Sequence, residues 1–298
     1  MTTDLALPDY REQSPAVTAR FERLRQRPVA LEVTGLTKTF ETPRGVITAL
    51  DGVSFSVHKR ELLSVIGPSG CGKSTLVRIL AGLETPTSGE LRVYGESVSG
   101  PGPDRGMVFQ GYTLFPWRTV KENVMFGPRM AGTSAFTADS EAREWIELVG
   151  LSKFENAYPH QLSGGMKQRV AIARALANQP RVLFMDEPFG ALDAQTRCQM
   201  QSYLLEIWKN VDITIVFITH DLDEAVFLSD RILVLDANPG RVRELVEVPV
   251  PRPRTSDQLF APSFLGVRKH IDNLIHPPGQ EHKEAPVLRM AVADPDVV

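Results

Sequence analysis

Leu62-Leu63-Ser64-Val65-Ile66, followed at once by Gly67-Pro68-Ser69-Gly70-Cys71-Gly72-Lys73-Ser74, decides the fold. The first part is a strand-sized, nearly continuous apolar run. The second fits G-x-x-x-x-G-K-[ST] and leads into a helical stretch over Ser74–Ala81, the strand–turn–helix setting of a phosphate cradle. Glycines let the backbone curl until successive N–H groups point inward, and the helix N-terminus adds partial positive charge. Lys73 is expected to reach terminal phosphates and Ser74 to offer a hydroxyl to magnesium, with Thr75 next in the helix. Cys71 has two readings: a small loop residue contributing backbone, or a thiol acidified by the helix N-terminus.

Three further runs, Val182–Met185, Ile213–Ile218 and Ile232–Leu235, have the same unbroken apolar texture. Such runs suit parallel strands covered on both faces, with helical patterns between them, so the fold class is α/β. In open parallel sheets ligands bind beyond the carboxyl ends of strands. Asp186 and Glu187 stand at one such end and His220 at another, level with Gly67. Adjacent carboxylates there are costly unless a cation or reacting group meets them. Asp186 is assigned to magnesium and Glu187 to polarising an attacking water, with Pro188 stopping the strand. His220 is assigned to sensing the terminal phosphate, and Asp221, Asp223 and Glu224 open a helix whose dipole favours acids.

The 298 residues carry 33 basic and 36 acidic side chains, a formal charge of -3, which excludes a protein built mainly to neutralise nucleic acid. No apolar stretch approaches the ~18–20 residues of a membrane-spanning helix. Two cysteines make no disulfide framework, and Met1–Arg11 lacks the pattern of a secretory leader. Residues 1–28 read as a flexible, loosely attached extension. Leu31–Leu36 and Ser54–Val57 read as antiparallel strands around a Pro43–Gly45 turn. Residues 112–178 hold helical patterns (Trp145–Val149, Met166–Ala177), enough for an inserted helical subdomain. Pro251–Pro253 forms a link to a helix spaced by Phe260, Phe264, Val267, Ile271, Leu274 and Ile275, the segment 251–276. Residues 277–298 read as a disordered tail.

Leu162-Ser163-Gly164-Gly165-Met166-Lys167-Gln168-Arg169 is, locally, a serine N-cap and glycine pair opening an amphipathic helix. Together with the cradle and Asp186–Glu187, it resembles the signature of ATP-binding-cassette (ABC) ATPases, over roughly residues 30–250. The resemblance implies a P-loop NTPase with a RecA-like sheet core, an antiparallel β subdomain and an inserted helical subdomain, using ATP and Mg2+. It implies that Phe40 stacks on adenine and that Gln110 contacts magnesium and relays to a transmembrane partner. Ser163, Gly164 and Gly165 would complete the nucleotide site of a partner copy in a head-to-tail homodimer, with Asp193 crossing the interface. Met166, the segment Gly111–Arg118, Pro239-Gly240-Arg241 and Pro251-Arg252-Pro253-Arg254 are similar to the nitrate/sulfonate/taurine/bicarbonate import branch. That implies a peripheral ATPase at the cytoplasmic face of a bacterial plasma membrane. Two transmembrane permease subunits and a separate solute-binding protein would accompany it, with no nucleic acid. The alternative class is a soluble cassette acting as a nucleotide-gated interaction switch, uncoupled from transport. One cradle, no heptad run and no basic patch count against it. A small-molecule kinase would leave Leu162–Arg169 unexplained.

Overall fold

A computed structural model describes residues 7–277. The strand entering the glycine loop, β3 (Leu62–Ile66), is fully buried in the middle of a six-stranded sheet. Its neighbours are β9 (Arg231–Leu235) and β8 (Thr214–Ile218). Beyond them lie β7 (Val182–Asp186) and β6 (Arg105–Val108) on one side and β10 (Val242–Glu247) on the other, in the order β10-β9-β3-β8-β7-β6. All pairs are parallel except β10 with β9. The unbroken apolar runs have a direct cause in the pleat. Leu62, Ile66, Leu183, Met185, Ile215, Phe217, Ile232 and Val234 enter one core. Their alternates Leu63, Val65, Val182, Phe184, Val216, Ile218, Leu233 and Leu235 enter a second core on the other face.

The second core is closed by α2 (Lys73–Leu80) and by a four-stranded antiparallel sheet, order β2-β1-β4-β5. Its strands are β1 (Val29–Thr42), β2 (Gly45–His58), β4 (Ser88–Val93) and β5 (Glu96–Ser97). The β1–β2 hairpin turns at Pro43-Arg44 and pairs as far as Thr42 with Gly45, so both strands run well past the expected Leu31–Leu36 and Ser54–Val57. The extra length was hidden because its apolar residues face solvent, Val46 and Ile47 being 69% and 56% exposed.

The first core is covered by α5 (Gly164–Leu176), α6 (Ala194–Asn210), α7 (Leu222–Leu228) and α8 (Pro262–Ile275). With α3 (Val120–Met130) and α4 (Ala135–Leu148), α5 also builds a separate helical core from Val120, Val124, Ile146, Val149, Leu162, Val170 and Ala173. A capping box between Thr119 and Glu122 starts α3, and Ser134 caps α4. Because Ala171, Ile172, Ala175 and Leu176 of α5 pack into the sheet core, this one helix joins the helical layer to the sheet.

Two expectations at the ends are corrected. From residue 7 the N-terminal segment is not loose: α1 (Pro15–Arg25) buries Val17, Phe21 and Leu24 at i, i+4, i+7. Arg20 donates to the carbonyls of Val248 (2.7 Å) and Val250 (2.9 Å), and Tyr10 stacks on His270 at 3.9 Å. Three apolar residues among many charged ones gave a stripe too sparse to register. The C-terminal stripe, in turn, begins at Phe264, because Phe260 ends a 3-10 turn before α8 and is 82% exposed. Residues 1–6 and 278–298 lie outside the described residues, and with them nearly all of the expected disordered tail.

Candidate active site

The loop between β3 and α2 is shaped by two left-handed glycines, Gly70 (φ 79°) and Gly72 (φ 89°). Gly72 precedes α2 with no side-chain cap, leaving the first N–H groups of that helix for a ligand. At Gly67 an added Cβ would stand 2.6 Å from Leu235 O and 2.8 Å from Cys71 Sγ, and at Gly72 2.7 Å from Leu50 Cδ2. Lys73 is buried and donates from Nζ to the carbonyls of Gly67 (2.8 Å) and Pro68 (3.1 Å). Cys71 is buried behind the loop, and burial pushes its thiol up against the pull of Lys73; the acidified-thiol reading is therefore set aside.

Ala49, Ser69, Gly70, Gly72, Lys73, Ser74 and Thr75 line a cleft of ≈ 540 Å³ with Glu187 and His220 on its far wall. β7 delivers Asp186 and Glu187 there, and β8 delivers His220 two residues past its end. Burial raises the pKa of the Asp186 carboxyl, and the neighbouring Glu187 raises it further, against Arg78 and Lys73. Glu187 holds φ 44°, a left-handed conformation that costs a non-glycine residue about 1–2 kcal/mol. Its Oε2 faces His220 Nδ1 at 3.0 Å and accepts from Gln110 Nε2 at 3.4 Å. His220 is steadied from behind: Asp221 caps α7 through the N–H groups of Asp223 and Glu224, and Arg197 of α6 approaches Asp221 at 3.6 Å.

The remaining expected residues lie outside the lining of this cleft. Phe40 is 38% exposed on β1, with the Lys38 ammonium 4.9 Å above its ring. Ser163 caps α5, accepting from Met166 N–H at 3.3 Å. A Cβ on Gly164 would approach the Tyr112 hydroxyl at 2.9 Å, and one on Gly165 the Thr196 methyl at 2.6 Å. Asp193 caps α6, accepting from Thr196 N–H (2.9 Å) and Oγ1 (2.7 Å), bonds that hold its carboxyl below the ordinary range. Ser163 and Asp193 are thus exposed where the starts of two helices meet, with Gly165 buried against Thr196 between them.

Several residues have tasks at the site that their sequence context does not assign. Gly240 packs behind the glycine loop: its N–H donates to Ala49 O (3.0 Å) and its carbonyl accepts from Asp51 N–H (2.9 Å). Arg241 pairs with Asp51 beside it. The Pro239-Gly240-Arg241 cue therefore has a local task at the cradle. Asn123 is wholly buried and clasps the segment after Gln110, bonding Phe115 N–H and the carbonyls of Phe115, Arg118 and Thr119. Its only sequence signal was a polar residue on the buried face of α3.

A protein-family profile described as "ABC transporter" matches residues 50–190. The chain is 48% identical to a nitrate import ATP-binding protein of Synechocystis sp. over 261 residues, 86% of this chain and 98% of that one. The chain belongs to the ABC transporter family. It is also similar to an aliphatic sulfonates import ATP-binding protein of Bacillus cereus, 43% identical over 82% of this chain and 94% of that one. Among solved structures it is similar to a dimeric ATP-binding cassette in a post-hydrolysis state with ADP and Pi. That likeness has a TM-score of 0.64 and 33% identity, covering 73% of this chain and 98% of that one. As an ABC cassette the chain is an ATPase, and the cleft between glycine loop and Glu187 fits a nucleotide's phosphates. Among the described residues no helix is long and apolar enough to cross a membrane.

Proposed function

We propose that the chain is the ATP-hydrolysing subunit of an importer for a small anion of the nitrate, sulfonate, taurine or bicarbonate class. It works as a head-to-tail homodimer on the cytoplasmic face of the membrane, beneath two permease subunits served by a separate solute-binding protein. The observation that carries the chemistry is the Glu187 carboxylate, bonded to Gln110 and facing His220 across from the cradle.

Lys73 is the cation for the terminal phosphates, and exchanging its loop carbonyls for phosphate oxygens gives it charged partners. The Ser74 hydroxyl, the Gln110 amide oxygen and Asp186 are a hard-oxygen set suited to Mg2+. Gln110 spends its Nε2 on Glu187, which leaves that oxygen free. Magnesium, when bound there, supplies charge neutralisation on the phosphate oxygens. Glu187 orients and deprotonates the attacking water, a role worth ~10²–10⁴-fold. His220 holds the carboxylate through Nδ1, which leaves its other ring nitrogen for the terminal phosphate. Phe40 offers an exposed ring for the adenine.

The surface that begins after Gln110 suits a permease. Phe115 packs on Phe126 (4.6 Å) and Trp117 (5.8 Å), and Trp117 and Met130 are each 70% exposed at the edge of the helical layer. Gln110 stands between this surface and Glu187, so closure on nucleotide and movement of the permease share one side chain.

The decisive experiment is Glu187→Gln. It should leave ATP binding intact, cut phosphate release by at least about 10²-fold and accumulate an ATP-bound dimer. Phosphate release at the wild-type rate would sink the assignment. Solute-stimulated hydrolysis by the reconstituted complex tests the importer reading separately.

A further inference from the structure

At the amino ends of the strands, away from the cradle, the last turn of α6 and residues 252–254 enclose a second cleft of ≈ 500 Å³. Leu205, the Trp208 ring and Pro253 give it an apolar body; Lys209, Arg252 and Arg254 supply cations, and Glu206 is the one acid in the lining. Below it three arginines share a single carboxylate. Asp230, buried, accepts from Arg252 Nε at 2.9 Å and carries the charge that faces Arg254 and Arg20.

Arg254 is 8% exposed, and its terminal nitrogens donate only to neutral carbonyls, those of Val226, Phe227 and Val250. Its Nε and the Trp208 Nε1 are buried donors without a partner. Arg252 lies 4.3 Å over the Trp208 ring, so one guanidinium joins the apolar wall to the charged end. Lys209 makes no ion pair among the described residues. Glu247 also acts on Arg20, whereas Arg254 has Asp230 as its one carboxylate, shared with Arg252; its buried charge is under-compensated, and burial, then the like charge of Arg252, drags Arg254 well below its ordinary pKa. Charge-assisted, forked recognition of a carboxylate or sulfonate is what such a site lacks.

We propose that this cleft binds a small organic anion, an acidic head on a short apolar body, with the head toward Arg252, Arg254 and Lys209 and the body on Trp208 and Pro253. The inference does not rest on the nucleotide chemistry.

The test titrates nucleotide-free full-length protein with butanesulfonate and with benzoate at constant ionic strength, by calorimetry and tryptophan fluorescence. Saturable binding is expected. Lys209→Glu should weaken it about tenfold or more, and Glu206→Lys should tighten it. Both positions are exposed, so neither variant should disturb folding. Lys73→Ala should bind the probes as wild type does. No saturable binding, equal affinity in the two rim variants, loss of binding in Lys73→Ala, or sulfate binding as tightly as butanesulfonate would each overturn the proposal.

Discussion

Replacing Gly240 by alanine should damage nucleotide binding although Gly240 lies behind the cradle and does not line the nucleotide cleft. An added Cβ would sit 2.9 Å from Ala49 O, 3.0 Å from Leu50 Cδ2 and closer still to Cys71 O. Close carbon–oxygen contacts lie at roughly 3.3 Å or more, and two of these three neighbours are backbone, which no rotamer change can move. Gly240 is not among the positive-φ glycines, so alanine suits its backbone. Without the contacts the substitution would stabilise the protein by about 0.4–1 kcal/mol through the unfolded chain. The contacts reverse the sign: overpacking of this kind costs about 1–3 kcal/mol, and its relief must move either Ala49 or the loop at Cys71. Both belong to the nucleotide cleft or its back wall. If the strain is relieved by the loop, the same 1–3 kcal/mol corresponds to about 5–150-fold weaker ATP binding. Equilibrium dialysis with ATP and a thermal melt of the nucleotide-free protein read the two effects. Arg241→Ala, which removes only a surface pair with Asp51, is the control and should change stability by about 0–1 kcal/mol. A Gly240→Ala protein with wild-type ATP affinity and an equal or higher melting temperature would refute the packing argument.

Ser163→Arg should bind ATP as a monomer yet fail to dimerise or hydrolyse it, as read by sedimentation and phosphate release; unchanged hydrolysis would remove the trans site. Asp186→Asn should raise the melting temperature of the nucleotide-free protein while abolishing magnesium-dependent hydrolysis. Burial, then Glu187, raise the Asp186 pKa, so its ionised form costs stability above that pKa and the cost fades on acidification. Asp230 has the opposite sign. Burial disfavours its charge, but Arg252, Arg254 and Arg20 outweigh burial and hold it below the ordinary 3.8, so its stabilisation is present above that value and lost as pH falls below it. Asp230→Asn should therefore cost about 3–5 kcal/mol at neutral pH, measured by urea unfolding, with the gap to wild type closing in strong acid.

The strands of the main sheet were legible because each is buried on both faces, and a residue on either face must then be apolar. The cradle was legible for a different reason: Gly67, Gly70 and Gly72 answer to backbone geometry that few sequences meet by chance. α1 was not legible, because Val17, Phe21 and Leu24 cover a small area and its remaining contacts are arginine bonds to carbonyls of residues 248 and 250. Those carbonyls are more than two hundred residues away, and a local pattern cannot encode them. Gly240 stood out only as part of the Pro239-Gly240-Arg241 cue, and its packing task was hidden in the same way. Its necessity is set by Cys71 and Ala49, which the fold brings behind it, and nothing within its own neighbourhood announces a close approach.

The site residues divide along the same line. That Glu187 and His220 stand together could be read from strand ends alone, since a parallel sheet places its carboxyl ends together, and they meet at 3.0 Å. Ser163, Gly164, Gly165 and Asp193 could not, because periodicity says only that two helices begin there. Their geometry gives the assignment physical content. Ser163 and Asp193 spend their side chains on their own helix starts, Gly165 brings α5 against Thr196 of α6, and none of the four lines the cleft of the cradle. The free N–H groups of a glycine-rich helix start are an anion site, and within one chain that site has no phosphate to face. A second copy turned head to tail would bring one, which is the arrangement that the proposed homodimer requires and that Ser163→Arg tests.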